Sequence, residues 1–113
     1  MRTAVTIGVY TFELHLPGAR SLKNKRQVVR RLKDRLRSRH NVAVSELADH
    51  ADRWQRACLA VVSVASSRDA LERLFEAVHK EAELNVPGQV IETGIEYIEA
   101  ADGGSRGWSE DWS

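Results

Sequence analysis

The sequence has a single cysteine, Cys58, so no disulfide can close within the chain, and a reducing compartment is expected. It has no run of about 18 apolar residues, which excludes an ordinary transmembrane helix. Its start, Met1-Arg2-Thr3-Ala4-Val5, lacks the charged-then-apolar layout of a signal peptide, so the expected setting is cytoplasmic, with no membrane partner. Paired carboxylates, a nucleophile beside a base, a glycine-rich phosphate loop and a metal quartet are all missing at useful spacing. The expectation is therefore a protein that is not an enzyme and takes no cofactor or metal.

What is present fits one folded unit. The 113 residues suit a single domain, and 42% apolar with 29% charged residues is too hydrophobic for disorder. A formal net charge of +1 conceals a segregation. Between residues 20 and 40, ten cations stand against Asp34 alone, a local net of +9 that leaves −8 on the remainder. Such a field attracts phosphates, acidic protein surfaces or anionic lipid over roughly 8 Å in physiological salt.

Periodicity places the elements. Residues 3–16 are rich in β-branched and aromatic residues and end at Pro17-Gly18, a pair suited to a type II turn. Both parities of this strand are apolar, so either Gly8 marks a bulge or both faces are covered. Ser21 is an N-cap before a helix of about 22–39, whose Val28, Val29, Leu32 and Leu36 form one stripe. Arg26, Arg30, Lys33 and Arg37 fall on one flank of that stripe, Arg31 and Arg35 on the other. Residues 42–48 and 53–65 form a hairpin joined by Asp49-His50-Ala51-Asp52, and the second run reads as buried on both faces. A second helix runs from Ser66-Ser67 to about 84 with Leu71, Leu74, Phe75, Val78 and Ala82 inward, and a last strand covers 89–99.

The order β-α-β-β-α-β with right-handed crossovers predicts a ferredoxin-like α+β plait: four antiparallel strands in the order 4-1-3-2 with both helices on one face. Residues 1–101 are then one domain and residues 102–113 a flexible tail, in which Trp108 and Trp112 are out of character. Because two helices cover one face only, apolar residues of both parities in strands one and three predict a homo-oligomer, a dimer through the sheet face or an edge strand.

The functional candidates follow from charge. Arg20, Lys23, Lys25, Arg26, Arg30, Lys33 and Arg37 surround the opening and one flank of the first helix and are the expected anion- or nucleic-acid-binding residues. Trp54 and Arg56 stand where a stacking platform beside the basic turn would form. The third strand lacks the aromatic pair by which sheets of this fold stack RNA bases, so the helix and its turn are the expected contact. Asp49, His50 and Asp52 read as turn chemistry rather than metal ligands, and Cys58 as a small core side chain.

The stretch Leu14-His15-Leu16-Pro17-Gly18-Ala19-Arg20-Ser21-Leu22-Lys23-Asn24-Lys25-Arg26, with Asn41-Val42-Ala43-Val44 and Asp52-Arg53-Trp54-Gln55-Arg56-Ala57, resembles the YlxP-like family of small bacterial proteins, a domain of unknown function. The resemblance covers about residues 4–99 and implies a ferredoxin-like fold with no established activity or cofactor. Related genes often lie beside those of translation initiation and ribosome maturation factors, which implies a place near RNA or the ribosome. Two functions are therefore carried forward: a binding protein whose basic helix touches RNA, and a structural or regulatory homo-oligomer that grips an acidic protein partner.

Overall fold

The structure, a computed structural model, describes residues 4–100. Six elements follow one another: β1 (Thr6–His15), α1 (Leu22–Arg39), β2 (Ala43–Glu46), β3 (Arg56–Ala65), α2 (Arg68–Asn85) and β4 (Gln89–Glu99). The strands form one antiparallel sheet in the order β2-β3-β1-β4, which is the expected 4-1-3-2 read in reverse. With both helices against one face, this is the α+β ferredoxin-like plait. The expected tail, with Trp108 and Trp112, lies outside the described residues.

Both helices start where a hydroxyl can take an orphan amide. Ser21 Oγ accepts the Asn24 N–H at 3.0 Å and Ser67 Oγ accepts that of Ala70 at 3.2 Å. Val29, Leu32 and Leu36 of α1 and Leu71, Phe75, Val78 and Ala82 of α2 are buried against Tyr10, Phe12 and Leu14 of β1 and Ala57, Leu59 and Val61 of β3. Full burial of each Val, Leu or Phe stabilises the fold by roughly 1.5–3 kcal/mol, so this layer dominates folding.

Four sequence expectations are corrected. No bulge lies at Gly8, because β1 and β3 pair in continuous register from Thr6↔Ala65 to His15↔Arg56. Gly8 instead lies beneath Phe75, where a Cβ would come within 2.6 Å of the ring. The bulge is in β4: Thr11 pairs with Gly94 and Phe12 with Glu92, so Thr93 is the extra residue. It reverses the strand's parity, which is why Val90 faces the helices before it and Ile95 and Tyr97 after it, while Ile91 and Ile98 turn to the open face.

β3 is not buried on both faces. Its helix side is sealed, but on the other side Val62 and Val64 are exposed, the latter by 54%. Nor is the Pro17-Gly18 turn of type II, which needs a positive φ at its third residue. The Ala19 N–H donates to the Leu16 carbonyl at 3.0 Å, and no glycine among the described residues has a positive φ. The hairpin strands are also shorter than the apolar runs suggest, ending at Glu46 and beginning at Arg56. The long link between them is held from below by a lysine described next.

Candidate nucleic-acid interface

An α-helix advances 100° per residue, so Lys23, Arg26, Arg30, Lys33 and Arg37 share an arc of about 80° on α1. Flanking the buried stripe, this arc lies toward β2, where Arg37 Nη2 donates to the Val44 carbonyl at 3.3 Å. On the α2 side of the helix, Arg35 Nε donates to Glu81 Oε2 and draws that carboxyl below its usual range. Arg37 has Asp34 at 3.5 Å. Among the described residues, Arg20, Lys23, Arg26, Arg30, Arg31, Lys33 and Arg39 have no carboxylate partner. All but Lys33 of these seven are exposed. The first turn of α1 contains no acidic residue, so its amide end is left positive as well.

Lys25 does not belong to this surface, contrary to the sequence reading. It points into the molecule, 1% exposed, and its ammonium donates to the carbonyls of His50 at 3.0 Å, Ala51 at 3.1 Å and Arg56 at 3.3 Å. A lysine has three N–H donors, and all three are taken. Glu46 Oε2 lies 3.8 Å away as the countercharge. The clamp fixes the link between β2 and β3, including His50, whose φ of 65° is a left-handed conformation that costs a non-glycine residue energy.

The fixed link aims His50 at a carboxylate that sequence reasoning passed over. Glu13, on the open face of β1, accepts from Arg56 Nη2 at 2.7 Å, from His15 Nε2 at 3.1 Å and from His50 Nε2 at 3.3 Å. Hydrogen bonding to Arg56 and then His15 lowers its carboxyl from 4.5 to about 2, against an opposing contribution from burial. Glu13 and His15 share parity on one strand and Arg56 sits opposite His15, a signal that needs the strand register to be read. Arg56 is thus engaged rather than free to form a platform. Trp54, 53% exposed, keeps its stacking face open. It lines, with Pro17, Arg53, Gln55 and His15, a groove of about 700 Å³ at the same end of the molecule as the turn before α1. Gln55 ties the two together by donating to the Pro17 carbonyl at 3.1 Å.

Because the folded pKa of Glu13 lies below its unfolded value, the stabilisation from this cluster is complete above about pH 5 and is withdrawn as pH falls from 4.5 toward 2. Glu13→Gln is expected to lose about 1–2 kcal/mol at pH 7 and to converge on the parent chain near pH 2. Urea midpoints measured across that range test it. Parallel curves for the two chains would show that the cluster contributes nothing.

Tyr10 and Phe12 both face the helices at 1% and 0% exposure, so neither can stack a base on the open sheet. Among the described residues, no group of three His, Cys, Asp or Glu side chains could hold a metal ion, and no helix is long and apolar enough to cross a membrane.

A four-stranded ferredoxin-like plait carries a basic helix and, beside it, a fixed, tryptophan-bearing loop. Residues 7–95 match the family model DUF503, a protein family of unknown function, and the chain belongs to that family. It is 36% identical over 72 residues to the uncharacterized protein YlxP of Bacillus subtilis (strain 168), a match covering 64% of this chain and 77% of that one. A solved C-terminal segment of the alpha subunit of aIF2 from Pyrococcus abyssi shares the fold, with a TM-score of 0.51 and 18% identity over 81% of this chain. The chain spans about half of that solved chain, 52% of its length.

Proposed function

We propose that this protein is a non-enzymatic RNA-binding domain of the cytoplasm, with ribosomal RNA as the expected partner, that contacts phosphates through the exposed flank of α1. The observation that carries this reading is the set of seven cations on and beside α1 with no carboxylate partner among the described residues. Arg26 and Arg30, like Lys33 and Arg37, are like charges four residues apart, each such pair costing a helix about 0.2–0.5 kcal/mol. A polyanion on this flank turns that repulsion into attraction. Trp54 and Arg53 lie where an unstacked base could lean once the phosphates are held at Arg20 and Lys23. The test is fluorescence anisotropy of a labelled RNA across a salt series, where log affinity is expected to fall linearly with log salt and steeply. Affinity independent of salt would refute it. An acidic protein on the same flank is the alternative, and capture from nuclease-treated lysate separates the two, because an RNA-mediated association does not survive the nuclease.

A specific observation also favours the homo-oligomer. The open face carries Glu13, His15 and Arg56 at one end and is mostly apolar at the other, where Ile7 lies between Ile98 and Val64 and Val9 between Glu96 and Val62. In this reading a second copy covers the apolar half by two-fold symmetry, leaving α1 free on the opposite side. Val64→Asp is expected to convert a dimer into a monomer in light scattering. A parent chain already monomeric at its highest attainable concentration would sink this second reading.

A further inference from the structure

The loop between β2 and β3 is tied down on several sides. Besides the Lys25 clamp, the Arg53 N–H donates to the His50 carbonyl at 3.0 Å, the Leu16 N–H to the Gln55 carbonyl at 2.8 Å, and Gln55 Nε2 to the carbonyls of Pro17 at 3.1 Å and Ala19 at 3.4 Å. Residues 53, 55 and 56 are therefore anchored, and Trp54 stands between them on a fixed backbone. Its indole is nonetheless the one exposed aromatic side chain among the described residues, although the hydrophobic effect favours burying so large a ring. Fixing the loop takes a buried ammonium and a left-handed His50, unfavourable features of the kind that collect where a fold positions a ligand contact.

The groove that Trp54 lines, of about 700 Å³, lies within the range of small-molecule sites. No carboxylate lines it. Beside the indole stand the guanidinium groups of Arg53 and Arg56, the Gln89 amide and the His15 ring. Arg56 shares its charge with Glu13 at 2.7 Å, whereas Arg53 is exposed and has no carboxylate partner among the described residues. A ligand that suits this lining has flat apolar faces, a polar edge and a negative charge at one end, as a nucleotide does. Gln89 can both donate to and accept from a base edge, and a single aromatic ring provides for a single stacked base.

We propose that this groove takes one unpaired nucleotide of an RNA strand, its base against the Trp54 indole and its phosphate at Arg53. Trp54 thereby narrows the RNA reading above, on which this site depends. The cations of α1 meet the phosphates of a duplex and of a single strand alike, but bases stacked inside a duplex present no free face, so the indole selects a loop, a bulge or a strand end. The loop is ordered on folding, so its entropy is not lost again when the base docks.

A labelled RNA of about ten nucleotides without internal pairing, measured by fluorescence anisotropy alone and annealed to its complement, tests this on the full chain at fixed salt. The single strand is expected to bind about tenfold tighter than the duplex, although the duplex carries more phosphates. Trp54→Ala should bring the strand to the level of the duplex, leaving duplex affinity and both salt slopes unchanged, while Trp54→Phe should keep most of the preference. Because the side chain is exposed, both variants should melt as the parent does. Strand and duplex binding alike, or Trp54→Ala weakening both to the same degree or neither, overturns the proposal, and salt-dependent binding in those cases still supports the α1 reading. If neither RNA binds, both fall.

Discussion

Replacing Lys25 by methionine is expected to lower the melting temperature by at least about 10 °C, although the substitution removes a charge from the interior. The side chain is 1% exposed, and a methionine of similar length would fill its path. What methionine cannot do is donate, so the carbonyls of His50, Ala51 and Arg56 lose their partner together. Each buried group left unpaired costs about 1–3 kcal/mol, with some relief if water enters, which puts the total near 3 kcal/mol. Lys25→Arg is expected not to rescue, because a planar guanidinium does not present donors to three converging carbonyls as an ammonium does. Hydrogen exchange should rise first in residues 47–55, the segment the clamp holds. Melting within about 2 °C of the parent chain would mean the clamp adds nothing to stability. At a temperature where it is folded, the variant should bind RNA as the parent does, since a buried ammonium reaches no phosphate.

The second large effect belongs to the surface. Arg26→Glu, Arg30→Glu and Arg37→Glu together are expected to reduce RNA affinity by at least about a hundredfold at low salt. They should also flatten the salt dependence by about 2.7 on a duplex, roughly 0.9 for each phosphate that is no longer neutralised. All three side chains are exposed, so the far-UV circular dichroism should be unchanged and the melting temperature should move only a few degrees. Arg37 is the least free of the three, with Asp34 and the Val44 carbonyl as partners, so its single reversal should matter least. Equal RNA affinity in the triple variant and the parent would remove the basis for the proposed function. Loss of binding with an intact spectrum, set beside unaltered binding in folded Lys25→Met, would separate the exposed cations from the buried one.

Basic residues of α1 that look equivalent in the sequence therefore have different fates. Lys25 and Arg26 are neighbours, yet 100° of helical rotation sends one beneath the loop and the other outward. Periodicity alone could have raised the question, because Lys25 lies at i−4 from Val29 on the buried stripe, but nothing in the local sequence says that three carbonyls wait there. Glu13 escapes a sequence reading for the same reason. Its meaning depends on Arg56, 43 residues later, being carried into register by the β1·β3 pairing. Val90 and Ile98 share a parity yet lie on opposite faces of β4, and the bulge at Thr93 that separates them is a property of the pairing with β1.

The sequence by itself determined the element order, the helix starts at Ser21 and Ser67, the inward faces of both helices and the concentration of positive charge on α1, because caps, hydrophobic period and charge runs act over a few residues. Only the tertiary structure decided which cation is buried, which carboxylate gathers Arg56 and two histidines, and that no carboxylate lines the groove at Trp54. Those outcomes depend on hydrogen bonds and registers between residues distant along the chain, and such pairings have no local period from which to be read.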